Sequence, residues 1–254
     1  MRKAMNISME LDTILQEKGL KEMDIVNYQA VQKIAKDTIK YIETEIIPGM
    51  SLKEVRCLCE NKMRELGADS FWYWDIGAFV FSGDETTVSV SGREYSTPDR
   101  VIMTDDIITI DLSPQVGDIW GDYARTIILQ NGKVPESYDK IENAEWRAGL
   151  EMEKKLHDRM IEIVSREMTF EELYYQMNDY IRKEGYINLD FMGNLGHSIV
   201  RKKDDRIYIE KGNQSKLGDV QYYTFEPHIS VSGSKYGYKR ENIYYFDKGV
   251  LREL

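Results

Sequence analysis

Two aspartates stand eleven residues apart in Thr109-Ile-Asp-Leu-Ser-Pro-Gln-Val-Gly-Asp-Ile-Trp-Gly-Asp-Tyr-Ala-Arg-Thr126. A β-branched run from Ile107 to Asp111 precedes a turn containing Ser113, Pro114, Gly117 and Asp118, and a second strand follows from about Trp120 to Leu129. This pattern predicts a hairpin with Asp111 and Asp122 on neighbouring antiparallel strands, where opposed side chains sit about 5 Å apart. Carboxylates that close repel unless a proton or a cation lies between them. On the hairpin alone, the alternative is that Asp111 ends its strand and Asp122 is solvated.

Other candidates fall in the second half. Gly193-Asn-Leu-Gly-His-Ser198 places His197 after permissive backbone, where glycine would let a ligand or metal come close. In Tyr223-Thr-Phe-Glu-Pro-His228, strand alternation puts Glu226 and His228 on one face, and Pro227 makes the segment an edge, a bulge or a strand end. Glu241 heads a final apolar strand, Asn242 to Phe246. Taken singly, each acid also reads as a surface residue and His197 as a hydrogen-bonded structural histidine.

The elements that must position these residues follow from periodicity. Apolar residues recur at three and four from Asp24 to about Ile47, an amphipathic helix stopped at Pro48-Gly49; residues 1 to 20 read as a separate short helix or arm. Ser51 with Glu54, and Thr169 with Glu172, form capping boxes, and Gly67 and Gly185 end the helices that follow. A long helix is expected between Pro135 and Ile163, carrying His157 on a charged, solvent-facing side. The aromatic run Phe71-Trp-Tyr-Trp74 opens an extended segment to Phe81, residues 86–90 look strand-like, and 91–99 form a polar loop. The capped helices recur at a constant offset, each with a helix before and strands after. This pattern reads as an internal duplication, about 20–131 and 132–254, packed as one domain over 1–254.

Composition narrows the classes. The 254 residues, 42% hydrophobic and 31% charged, fit a globular α+β protein. A net charge of -10 without a basic patch argues against nucleic acid. No stretch is apolar enough to span a membrane. Cys57 and Cys59, the only cysteines, suit neither a disulfide framework nor a zinc site and fit a reducing cytoplasm.

In order and in context, Asp111, Asp122, Gly196-His197, Phe225-Glu-Pro227 and Arg240-Glu241 resemble the metal-binding residues of the methionine aminopeptidase/Xaa-Pro peptidase/creatinase family. The likeness runs from the first amphipathic helix and Pro48-Gly-Met-Ser51 onward. Asp122-Tyr-Ala-Arg-Thr126 resembles the Xaa-Pro branch, and strand parity assigns Arg125 a structural role on the face opposite Asp122. The resemblance implies a pita-bread fold, a curved antiparallel sheet with pseudo-twofold halves and outer helices. It also implies two divalent ions, manganese first, with cobalt, zinc or iron as alternatives. Asp122 and Glu241 would bridge them, Asp111 completing one site and His197 with Glu226 the other. Glu226 would move the proton of the attacking water, and the substrate would be a short peptide cut near its free N-terminus. Homodimers are common in such a family. In length the chain matches a bare catalytic domain.

One departure stands out. The family carries two further histidines beside its metals, and this chain has only His157, His197 and His228. The first family position falls at Ser91-Gly-Arg93 and the second at Asp204. His228, on the same face as Glu226, either replaces one of them or packs. Trp72 and Trp74 either line a specificity pocket or pack in the core. The functional readings are therefore a metal-dependent aminopeptidase or dipeptidase, a binding module of the same fold, and a creatinase-like hydrolase of a non-peptide C–N bond.

Overall fold

Two capping boxes begin the architecture. Ser51 and Thr169 each accept a hydrogen bond from the backbone N–H of Glu54 and Glu172, whose carboxylates reach back to the caps. Each reciprocal pair satisfies amide groups that a helix start otherwise leaves bare. In this computed structural model, which describes residues 2–254 and the side chains of 24–254, they open α2 (Leu52–Glu65) and α4 (Phe170–Lys183). Gly67 and Gly185 follow those helices with φ of 110° and 86°, a left-handed region that only glycine enters freely.

The first half runs α1 (Arg2–Glu45), α2, β1 (Ser70–Phe71), β2 (Ala78–Ser82), β3 (Asp106–Leu112), β4 (Pro114–Val116), β5 (Ile119–Trp120) and β6 (Tyr123–Leu129). The separate short element expected over 1–20 is instead continuous with α1. The second half runs α3 (Ala144–Ile163), α4, β7 (Tyr186–Asn188), β8 (Ser198–Ile199), β9 (Tyr222–Phe225), β10 (His228–Val231), β11 (Tyr238–Lys239), β12 (Asn242–Asp247) and β13 (Val250–Glu253). Every strand pair is antiparallel, and the strands form short sheets ordered β1-β4-β5, β2-β3-β6, β11-β10-β7 and β13-β12-β9-β8. No helix is long and apolar enough to cross a membrane among the described residues.

Burial follows the apolar stripes. Ile34, Ile39 and Ile42 of α1 and Val55, Cys59 and Met63 of α2 pack on β2 and β3 through Val80, Ile108 and Ile110. In the second half Leu150, Leu156 and Met160 of α3 and Phe170, Leu173 and Met177 of α4 cover Tyr223, Phe225 and Tyr238. A third cluster, including Tyr28, Trp72, Trp120, Tyr222 and Ile243, joins the halves.

Several local expectations change. Residues 86–90 form no strand, because a 3-10 turn over Gly83–Thr87 follows β2 directly. The extended segment from Phe71 to Phe81 is interrupted: Trp74 and Asp75 adopt φ of 57° and 55° and turn the chain between β1 and β2. His157 is buried rather than solvent-facing, since Nδ1 meets the Tyr244 hydroxyl at 2.7 Å and Nε2 the Arg240 carbonyl at 3.0 Å. Its neighbour one turn back, Glu153, is buried too and accepts a hydrogen bond from Thr126 Oγ1 at 2.7 Å. This face of α3 is polar and points inward.

Candidate metal centre

Asp111 and Asp122 are brought together, but not as an opposed pair. Asp111 near the end of β3 faces Ala124 in the register, and Asp122 sits just before β6, diagonally across the ladder. The backbone of Asp122 is clamped from α1: Gln32 Nε2 donates to its carbonyl at 2.6 Å, and its N–H donates to Gln32 Oε1 at 3.1 Å. Gly121 makes room for this clamp, as a Cβ there would lie 2.9 Å from Gln32 Oε1. A buried glutamine in the apolar stripe of a helix is therefore part of the site.

His197 comes from the turn into β8. Gly196, at φ 135°, lets the chain run against the backbone of Thr224, and any Cβ there would collide with the Thr224 carbonyl oxygen. The glycine thus serves a close approach of backbone to backbone, and not the approach of a ligand. Thr224 Oγ1 accepts from the His197 N–H at 3.0 Å and lies 3.3 Å from Glu226 Oε1, to which it donates. It fixes two functional residues at once. Thr224→Val keeps the shape and removes both bonds; metal affinity is expected to fall about 10–100-fold, as for other outer hydrogen-bond partners of a metal centre, read by calorimetric titration.

Pro227 marks a strand end: it separates β9 from β10 and leaves Glu226 in the gap. Glu241 lies between β11 and β12, tied by its N–H to the Ala124 carbonyl at 3.0 Å. Arg125 grips the same junction: it donates to the carbonyls of Ala124 and Glu241 and to Asn242 Oδ1, and stacks on Tyr123 at 3.8 Å. Its role is to position backbone.

The result is a buried convergence of donors. Single ligand atoms of Asp122, His197 and Glu241 all lie within 4.8 Å of one another. His197 Nε2 is 3.5 Å from Asp122 Oδ2 and 3.7 Å from Glu226 Oε1. Both oxygens of Glu241 are buried without a hydrogen-bond partner, a costly state that a cation would relieve. Burial, reinforced by the charges of Asp111 and Glu226, holds Asp122 well above the ordinary carboxylate range, and burial with Asp122 does the same to Glu241. Burial pushes His197 down to about 3 and so keeps it neutral, the form that ligates metal. These residues fit one divalent cation.

Lys239 was not singled out by the sequence reading, although its position two residues before Glu241 on extended chain was a usable signal. Its Nζ lies 2.5 Å from Asp111 Oδ2 and 3.3 Å from Glu226 Oε2. Burial works against the charge on this amine, but Asp111, Glu226 and Glu241 outweigh it and hold Lys239 as an ammonium.

A cavity of about 650 Å³ opens onto the centre, lined by Asp111, Asp122, His197, Glu226, His228 and Lys239 among others. His228 reaches it, yet its Nε2 donates to the Thr86 carbonyl at 2.7 Å, and burial pushes it down to about 4. Trp72 lines the cavity, packs on Trp120 at 4.3 Å between centroids and meets the His197 ring edge-on at 5.8 Å. Trp74 does not line it: the turn at positive φ carries this side chain outward, 53% exposed, under the Arg93 guanidinium at 4.8 Å. Arg206, stacked 4.7 Å from Trp72, is a further cation in the lining that sequence did not flag.

Comparison with known proteins agrees with this geometry. Residues 26–248 match the model of metallopeptidase family M24. No curated protein matches the chain. Among solved structures it is similar to an X-Pro aminopeptidase from Thermotoga maritima, with 20% identity and a TM-score of 0.74 over 91% of this chain and 60% of that one. A prolidase from Pyrococcus horikoshii gives 19% and 0.74 over 91% and 61%, and a methionine aminopeptidase from Rickettsia prowazekii 17% and 0.67 over 91% and 96%. The chain thus spans about three fifths of the first two and nearly all of the third. These likenesses carry the α+β pita-bread fold, and with a match across residues 26–248 they place the chain in metallopeptidase family M24.

Proposed function

We propose that this chain is a divalent-metal-dependent exopeptidase that hydrolyses the N-terminal peptide bond of short peptides, in the manner of an Xaa-Pro aminopeptidase or dipeptidase. The observation that carries this reading is the buried, unpartnered Glu241 carboxylate set against Asp122 and neutral His197, both of which line the cavity. Asp122, His197 and Glu241 would hold the ion, with Glu226 beside them. The resemblance implies a second ion shared with Asp111. An oxygen-rich set with one imidazole suits manganese first, with cobalt, zinc or iron as alternatives. When bound, such an ion supplies Lewis acidity, which makes water a nucleophile at neutral pH and polarises a carbonyl.

The chain's own groups supply the rest. Glu226 takes the proton of the attacking water and passes it to the leaving amine; burial pushes its carboxyl up to about 7, against the pull of Lys239, so both forms are accessible near neutrality. The Lys239 ammonium provides a fixed donor that lost histidines would otherwise supply. Trp72 forms an apolar wall for the substrate side chain. His228, bonded through Nε2 to Thr86, presents only Nδ1 for hydrogen bonding and ties β10 to the Gly83–Thr87 turn rather than shuttling protons. We read 1–254 as one domain of two pseudo-repeats, acting in the cytoplasm.

The test is hydrolysis of a panel of di- and tripeptides, Xaa-Pro and Met-Xaa included, by metal-stripped protein reloaded with manganese, cobalt or zinc. Metal-dependent turnover that survives in His228→Ala within about tenfold, while Glu226→Ala abolishes it, is the expected pattern. Stoichiometric metal binding without turnover on any peptide would favour a binding module, and turnover of only a non-peptide C–N substrate a creatinase-like hydrolase.

A further inference from the structure

We infer that the Lys239 ammonium occupies the place of a second cation, so that this chain binds one divalent ion and not two. The inference rests on reading the cluster as a metal centre, and goes beyond it in assigning the charge that balances Asp111 and Glu226.

The geometry divides the four carboxylates into two groups. Single ligand atoms of Asp122, His197 and Glu241 converge within 4.8 Å, with Glu226 Oε1 at 3.7 Å from His197 Nε2. On the other side, Asp111 Oδ2 and Glu226 Oε2 point at one shared partner, Lys239 Nζ, at 2.5 and 3.3 Å. Glu226 therefore joins the groups, one oxygen on each side. A divalent cation seated between those two oxygens would sit against the ammonium they already hold, and in this buried setting the two positive charges would repel.

Lys239 is not free to step aside. His228 and Lys239 are partners in the β10–β11 ladder. The Lys239 N–H donates to Thr126 Oγ1 at 2.8 Å, and its carbonyl lies 3.1 Å from the same hydroxyl, so β6 holds the backbone from the other side. Only 19% of the side chain is exposed, and its ion-pair partners among the described residues are Asp111 and Glu226. Losing both would leave a buried ammonium unpaired, a strongly unfavourable state. A tethered monovalent charge is thus built into β11, two residues before Glu241. Asp111 in this arrangement is the partner of Lys239 and not a metal ligand.

Counting metal decides the matter independently of activity. Metal-stripped protein is equilibrated with manganese and its content measured by plasma emission, with electron paramagnetic resonance on the same samples. One manganese per chain, with the hyperfine pattern of an isolated ion, is expected. Lys239→Met should raise the content to two and give the spectrum of an exchange-coupled pair. Because that variant can fold poorly, Asp111→Asn serves as the second arm: it keeps an acceptor for the ammonium, so one manganese should remain with an affinity within about twofold of the parent. Two coupled ions in the parent, a count of one that persists in folded Lys239→Met, or a tenfold or greater loss of affinity in Asp111→Asn would overturn the assignment. Failure to bind manganese at all would instead sink the metal-centre reading beneath it. Peptide turnover bears on neither count.

Discussion

Glu226→Gln is expected to lower kcat on the best peptide substrate by about 10²–10⁴-fold, the usual worth of a positioned proton carrier, while leaving the metal in place. Glutamine keeps the length and shape of the side chain and can still accept the hydrogen bond from Thr224 Oγ1, 3.3 Å from Glu226 Oε1. What it cannot do is take a proton and give it back. The converged donors Asp122, His197 and Glu241 do not depend on it, so metal content should stay near that of the parent. Steady-state kinetics with metal analysis of each sample separates the two contributions. A variant that retains its metal and turns over within a few-fold of the parent would remove Glu226 from the chemistry and leave Lys239 or the cavity floor to account for proton movement. A variant that loses its metal would show instead that Glu226 is chiefly a ligand.

The residues that a sequence can reveal at this centre are those whose spacing is set by local structure. The hairpin from Asp106 to Leu129 was legible because β-branched runs flank a Pro/Gly turn, and both helix starts because capping boxes are local. The register was not legible. Two extra short strands, β4 and β5, sit inside the turn, and they shift Asp122 from opposite Asp111 to a diagonal position. Long-range partners were also hidden. Gln32 looks like a polar interruption in the stripe of α1 until the Asp122 backbone is seen against it. His157 sits among charged residues in sequence, yet its hydrogen-bond partners come from residues more than 80 positions away. The outward turn of Trp74 depends on positive φ at two non-glycine residues, which no propensity scale anticipates. Lys239 is the instructive miss: its offset of two from Glu241 on extended chain pointed to the centre, a signal that gains meaning only beside the carboxylates it pairs with.

The buried pair behind the centre should give the fold an unusual dependence on pH. Burial pushes Glu153 from an ordinary 4.5 up to about 7, against the hydrogen bond from Thr126 and the charges of Arg240 and Arg125. The folded state therefore keeps its proton where the unfolded chain has released it. The stabilisation from that proton is fully present below pH 4.5 and is lost as pH rises through about 7, a loss of about 3 kcal/mol once complete. His157 acts from the other side. Burial holds it neutral, well below its ordinary 6.5, so its contribution is present above that value and is lost as pH falls beneath it and the unfolded chain charges. Nε2–H donating to the Arg240 carbonyl, and Nδ1 accepting from Tyr244, define the neutral tautomer. Comparing urea unfolding of parent and Glu153→Gln from pH 4.5 to 8.5 isolates the first group, because every other titrating residue is common to both. Glutamine still accepts from Thr126, so the variant should gain on the parent steadily across this range, by about 3 kcal/mol at the alkaline end relative to the acid end. His157→Gln should show the opposite trend, gaining on the parent only as pH falls below 6.5. Stability curves for parent and Glu153→Gln that run parallel would mean that Glu153 is ionised in the fold, and that the Arg125 and Arg240 guanidinium groups, rather than a retained proton, offset the cost of burying it.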